Sequence, residues 1–195
     1  MMRLFCSIAL LVVGCQSAPV VSRQAQLASH IALFVETWTG TGSGFPLSET
    51  EVITAWHVVE GIPPAGVTVN GTSPITIDRL GSLDAAVLTF ADPVTQTPWK
   101  LDVRPVEPAE PVWASGWGAG LHWWSEGFGT MDADRLSLTI GPGDSGCPVL
   151  DADMEVIGIV VARGMYANHH CYIVPITEIY GALNPSMDQP SMSSD

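Results

Sequence analysis

Gly141-Pro142-Gly143-Asp144-Ser145-Gly146-Cys147-Pro148 sets one serine among turn-forming residues. Glycine reaches backbone conformations closed to other residues and proline fixes its own, so this octet turns the chain sharply between two extended runs. The flanking glycines leave the Ser145 hydroxyl accessible. They also aim two backbone N–H groups, those of Gly143 and Ser145, at one point in space. Paired donors of that kind stabilise the oxyanion of acyl transfer, each by roughly 3–4 kcal/mol. A serine hydroxyl is a poor nucleophile without a base in reach. An ordinary Gly-Pro turn would use the same residue types, so the octet takes its meaning from the rest of the chain.

Outward from it, short apolar or alternating runs predict strands near 31–37, 43–47, 50–54, 67–69, 74–80, 85–90, 112–117, 123–129, 135–140, 147–150, 155–163 and 170–175. Turn chemistry separates them: Gly61-Ile62-Pro63-Pro64, Asn70-Gly71, Asp92-Pro93 and Gly141-Pro142-Gly143. Ala55–Glu60 reads as a single helical turn and Pro175–Leu183 as a short terminal helix. So many short strands with so little helix predict an all-β sandwich or pair of barrels. The Pro-rich stretch 97–111 reads as the connector between two halves.

Composition agrees. The chain has 195 residues, 47% apolar and only 14% charged, with 19 Gly and 15 Pro. This length suits one compact unit, and the turn-residue load argues against a helical bundle. A net charge of −13 repels phosphate backbones, so no nucleic-acid partner is expected. Seven Trp and sparse charge do not suit a disordered acidic tail.

Two further segments carry chemistry. In Val52-Ile53-Thr54-Ala55-Trp56-His57-Val58-Val59 a strand runs into a histidine followed by β-branched residues. In Leu83-Asp84-Ala85-Ala86-Val87-Leu88 a carboxylate opens an apolar strand, where burial is costly without a partner. Alone, His57 reads first as a satisfied core residue, and Asp84 reads equally as a strand cap. Together with Ser145 they stand in the order His, Asp, Ser.

With that order on an all-β chain, the sequence resembles trypsin-like serine peptidases of the chymotrypsin clan, in particular compact bacterial and viral members and the protease half of HtrA-type enzymes. Gly42-Ser43-Gly44-Phe45 and Val52–Val59 look like the family's block before and around the histidine. Asp84–Leu88 resembles its Asp-Leu-Ala-Val-Leu strand, Val112–Gly118 the strand opening the second barrel, and Val156–Val160 the strand after the nucleophile. The match runs from about Ile31 to Leu183.

The resemblance implies two six-stranded antiparallel β-barrels, about 30–96 and 112–175, within a peptidase domain of 30–183. It implies that Ser145 is the nucleophile, His57 its base and Asp84 the holder of the imidazole, with Gly143 and Ser145 N–H as the oxyanion hole and peptides or proteins as substrates. No cofactor or metal is expected. Thr139, six residues before Ser145, would lie at the base of the specificity pocket; the absence of an acid there argues against strict Arg/Lys cleavage. Arg163 would either line the pocket mouth or stay a solvated surface charge. Cys147 replaces the second glycine of the family's Gly-Asp-Ser-Gly-Gly-Pro. Asp144, which activated relatives neutralise with a freed N-terminal amine, is expected to find a local hydrogen-bond partner instead.

The N-terminus reads as an address. Arg3 precedes an apolar run, Leu4–Val13, too short to span a bilayer. Val12-Val13-Gly14-Cys15 resembles the bacterial lipobox, which makes 1–14 a signal, Cys15 a lipidated N-terminus and 15–29 a tether; the other reading is a plain signal cut near Ala18. Loss of Arg3 with the signal leaves a mature charge of −14. Export to the bacterial cell envelope is expected, with membrane contact through the lipid. Cys147 and Cys171 are then the two remaining cysteines, either disulfide-bonded to each other or two buried thiols. Residues 184–195 read as a disordered tail, leaving no room for a PDZ module.

Overall fold

The turn residues cut the chain into twelve short strands among the described residues, which in this computed structural model are 31–95, 98–132, 134–163 and 170–185. β1 (Leu33–Thr37), β2 (Gly40–Pro46), β3 (Glu51–Thr54), β4 (Val67–Val69), β5 (Thr76–Arg79) and β6 (Ala86–Thr89) form one antiparallel sheet in the order β4-β1-β2-β3-β6-β5. β7 (Pro111–Gly116), β8 (Trp123–Gly129), β9 (Arg135–Ser137), β10 (Pro148–Leu150), β11 (Val156–Arg163) and β12 (Cys171–Pro175) close into a barrel in the order β10-β11-β12-β9-β8-β7. Among the described residues the α-helices are α1 (Trp56–Val59) and α2 (Ile176–Leu183). Each expected strand is matched by an observed one, within a few residues at its ends.

Both six-stranded antiparallel halves are present; the first is a half-barrel, open between β4 and β5. β4 has three residues, and β5 presents mostly exposed side chains. Val67 and Val69 of β4 and Ile77 of β5 pack on the same apolar cluster, yet the two edge strands share no hydrogen-bonded ladder.

Three apolar clusters explain why the halves hold together. Leu33, Val35, Val52, Val67, Val69, Ala86 and Leu88 fill the concave side of the first sheet. Val112, Ala114, Leu136, Leu138, Val149, Ile157 and Ile173 fill the barrel. Between them, Phe45, Ile53 and Val87 from the first sheet meet Leu150, Val156 and Ile159 from the barrel and Ile176 and Ile179 from α2. The alternation of β3 and β6 is the cause: Val52, Ala86 and Leu88 point to one cluster, Ile53 and Val87 to the other. Each fully buried Phe or Ile contributes roughly 1.5–3 kcal/mol. The connector is pinned too. Leu101 bridges Val156, and the Trp99 indole N–H donates to the Met154 carbonyl at 2.6 Å. Arg104 pairs with Asp102, Glu110 and Asp151.

The signal 1–14, Cys15, the tether 15–29 and the tail from residue 186 lie outside the described residues.

Candidate active site

α1 carries His57 and the turn before β6 carries Asp84. Ala55, in extended conformation, ends β3's run and lets the helical turn begin at Trp56. Both Asp84 oxygens are used on the same residue: Oδ1 accepts the His57 backbone N–H at 2.9 Å, and Oδ2 lies 2.8 Å from Nδ1. The carboxylate therefore holds the tautomer with the proton on Nδ1 and leaves Nε2 as the free base. The Asp84 hydrogen bond raises the His57 pKa above 6.5, against an opposing effect of burial. Burial pushes Asp84 up, but hydrogen bonds from the His57 side chain and backbone, with the charges of His57 and Arg79, carry it below its ordinary value. Arg79 was missed in the sequence. Its guanidinium donates to the Leu83 and Ser82 carbonyls, bracing the turn that carries Asp84, and lies 5.4 Å from the ring centroid of Trp56.

Ser145 lies where the barrel's octet meets β2 of the first sheet. Its carbonyl accepts the Ser43 N–H at 2.8 Å. A Cβ on Gly42 would meet Val58 of α1 at 2.6 Å and the Ser145 carbonyl at 3.2 Å, so Gly42 is the gap that brings the two together. Gly146 has φ +87°, and a Cβ there would run into the Ser43 carbonyl, Thr54 Oγ1 and the Ala55 N. Only glycine fits after this serine. Among the described residues, the Ser145 hydroxyl makes no hydrogen bond, to His57 or to any other group; unliganded sites commonly tighten only on substrate.

The backbone of the octet is accounted for group by group. Pro142 C=O accepts from Ala119 N–H, Gly143 C=O from the Ser43 hydroxyl, and Asp144 C=O from Cys147 N–H. Asp144 N–H donates to Gly141 C=O, and Gly146 N–H to Val160 C=O. The N–H groups of Gly143 and Ser145 donate to no acceptor among the described residues. Because trans peptides point N–H opposite C=O, the Gly143 N–H faces away from Ala119. These are the two donors singled out in the sequence.

Asp144, immediately before Ser145, is fully buried. Its local partners are Trp123 Nε1–H, 2.5 Å from Oδ1, and Gly141 N–H, 2.5 Å from Oδ2. Burial pushes its pKa up to about 6 despite both bonds. No local pattern marks Trp123 as this donor; the signal available in the sequence is a carboxylate beside the serine that needs one once buried.

Thr139 is exposed and lines a cavity of about 300 Å³ with Trp123, Ile140, Gly141 and Asp144. The Arg163 side chain lies outside the described residues. Cys147 and Cys171 are both buried and both free, so the structure does not contain the bridge. Cys147 sits opposite Val160 of β11, and Cys171 lies on β12 at the far side of β11. Two strand spacings, roughly 9–10 Å, exceed the ~7 Å Cα separation that a disulfide spans. Burial raises both thiols, Cys171 to about 12 and Cys147 well above its ordinary value.

No family model matches the chain, and no curated protein matches it in sequence. Solved structures do. The Rv3671c protease from M. tuberculosis, active form, gives a TM-score of 0.70 at 18% identity, over 94% of this chain and 92% of its own. The serine endoprotease from Yersinia pestis gives 0.71 at 20% identity, over 87% and 67%. The scabies mite inactivated protease paralogue S-D1 gives 0.68 at 15% identity, over 85% and 93%. The fold is chymotrypsin-like. At these identities the likeness concerns the chain path, and one of the three is inactivated.

Proposed function

We propose that the chain is a serine endopeptidase that cleaves peptide bonds through Ser145, His57 and Asp84. The observation that carries the reading is the His57 Nδ1–Asp84 Oδ2 hydrogen bond of 2.8 Å, which leaves Nε2 as the free base. Ser145 Oγ attacks the scissile carbonyl carbon while His57 Nε2 takes its proton. The Gly143 and Ser145 N–H groups stabilise the resulting oxyanion. Collapse expels the amine, which receives the proton from His57, and leaves an acyl-enzyme. Water, deprotonated by the same nitrogen, then releases the acid and restores Ser145. A threonine at position 139, where an acid would select Arg or Lys, accords with a different preference. Arg163 is proposed at the mouth, and Cys15 as the lipidated anchor of an exported enzyme in the cell envelope.

The second reading is a catalytically silent, protease-like lipoprotein that binds peptides. It is favoured by the unengaged Ser145 hydroxyl and by the inactivated paralogue among the structural neighbours. The purified chain and its Ser145→Ala variant, each incubated with a proteome-derived peptide library read by mass spectrometry, separate the two. A working triad loses about six orders of magnitude in turnover with its serine. Cuts made by the parent and absent from the variant support the peptidase; identical, empty digests from two folded proteins support the binder.

A further inference from the structure

The octet's conformation depends on a buried anion that has no salt-bridge partner among the described residues. Asp144 sits immediately before Ser145, fully buried, and holds the loop through four groups. Its own N–H donates to Gly141 C=O, its C=O accepts Cys147 N–H, Oδ2 accepts Gly141 N–H, and Oδ1 accepts the Trp123 indole. Three of these bonds stay within the loop. The Trp123 bond alone ties the carboxylate to another element, the first residue of β8, itself fixed in register opposite Gly116 of β7.

The surroundings are shaped to admit the indole. A Cβ on Gly118 would stand 2.5 Å from Trp123 Nε1 and 3.0 Å from Asp144 Oδ1. A Cβ on Gly116 would also stand 3.0 Å from Oδ1. Two glycines thus clear the path along which an uncharged donor reaches the carboxylate. An indole N–H is a donor only, so it favours the oxygen that points at it and opposes rotation of the side chain. If Asp144 swings out, its backbone follows, and the N–H groups of Gly143 and Ser145 on either side lose their common direction.

We infer that Trp123 is a positioning residue, whose indole N–H holds Asp144 so that the Gly143 and Ser145 N–H groups face the reacting carbonyl. This rests on the peptidase reading above. Trp123 also lines the cavity that holds Thr139, and Phe keeps an aromatic ring on that wall, so loss of the indole N–H falls on the chemical step and leaves substrate affinity nearly intact.

The test uses the full chain and three variants: Trp123→Phe, Asp144→Asn and the double variant, with kcat and KM measured on a peptide found cleaved by the parent. Trp123→Phe is expected to lower kcat roughly 10- to 100-fold, with KM within about threefold, and to add no further loss on the Asp144→Asn background. Gly118→Ala, which keeps the tryptophan but crowds its Nε1, is expected to show the same split and covers the case in which Trp123→Phe fails to fold. In ¹H–¹⁵N spectra the parent is expected to show one indole resonance displaced downfield from the rest, lost in Trp123→Phe and moved upfield in Asp144→Asn. An unchanged kcat in a folded Trp123→Phe overturns the inference, as does a loss carried by KM or one that adds to that of Asp144→Asn. A parent chain inert both to peptides and to a fluorophosphonate serine reagent overturns the peptidase reading and the positioning role with it. An active parent with an unaffected Trp123→Phe variant overturns the positioning role alone.

Discussion

The Ser43 hydroxyl donates a 2.8 Å hydrogen bond to the Gly143 carbonyl, joining β2 of the open sheet to the octet of the closed barrel. The same oxygen accepts Trp117 N–H at 2.9 Å, while the Ser43 backbone N–H binds Ser145 C=O and its own C=O accepts the Thr54 hydroxyl at 2.7 Å. Ser43 is fully buried, and Gly143, at φ +97°, has the freedom to rotate if its carbonyl is released. Ser43→Ala leaves that carbonyl and the Trp117 N–H without their partner, at a cost of about 1–3 kcal/mol for each buried group. The expected outcome is a lower denaturant midpoint together with a kcat reduced at least about tenfold, because the Gly143 peptide is no longer held. Unfolding curves and steady-state kinetics on one preparation check both parts.

The His57–Asp84 geometry makes a pH prediction of definite sign. General-base action needs neutral His57, so activity falls as pH drops through its folded pKa, and Asp84 raises that value above 6.5. The acid limb of the kcat profile is therefore expected above pH 6.5. Asp84→Asn removes the largest raising cause and leaves burial, which lowers the pKa, so the limb moves to lower pH while kcat drops by about 10⁴-fold through loss of the tautomer. For stability, a raised folded pKa stabilises below 6.5 and the gain fades as pH rises through the folded value. That effect is small, since the side chains are 43% and 37% exposed. A pH–rate profile of parent and variant is the check.

What could be read from the sequence and what could not divides along chain separation. The strands were legible because alternation and turn residues are local signals, and His57, Asp84 and Ser145 each sat in a segment with its own pattern. Closure was not. Whether β4 meets β5 depends on two edges with weak patterns, and the structure leaves them apart. The partners that set the site were hidden for the same reason. Ser43 and Gly143 are 100 residues apart, and Trp123 and Asp144 are 21 apart. No local period links such pairs, although a buried aspartate beside a serine already demanded a donor. Arg79 was hidden by the ordinary look of an exposed strand charge.

Asp144 gives a stability prediction in the opposite pH sense to most carboxylates. Its folded pKa is about 6 against an ordinary 3.8, so between these values the folded chain binds the extra proton. Its contribution to stability thus falls as pH rises through that window and is constant above it. Asp144→Asn removes the titration. The stability difference, parent minus variant, is expected to decrease from pH 4 to pH 6, by at most about 1.4 kcal/mol per unit, and then to level off. Urea midpoints measured at intervals across that range test it; a difference that rises with pH contradicts the burial-dominated shift.

The two cysteines make the last prediction. Both are buried, free and on opposite sides of β11, and burial holds both thiols above their ordinary pKa. Only thiolate reacts with alkylating agents, so neither is expected to be modified by iodoacetamide at pH 8 while the chain is folded. In denaturant both should be modified without prior reduction, as read by peptide mapping of Cys147 and Cys171. Cys147→Ser is expected to cost about 1–3 kcal/mol, because it buries a hydroxyl where the thiol behaves as a small apolar group. Cys147→Ala loses less volume-dependent packing than it would at a larger residue, and should leave kcat within a few-fold, since neither N–H of the oxyanion pair belongs to residue 147. A protected, unmodifiable pair in denaturant that reduction then releases would show that the bridge forms after all, and would require β11 to move aside.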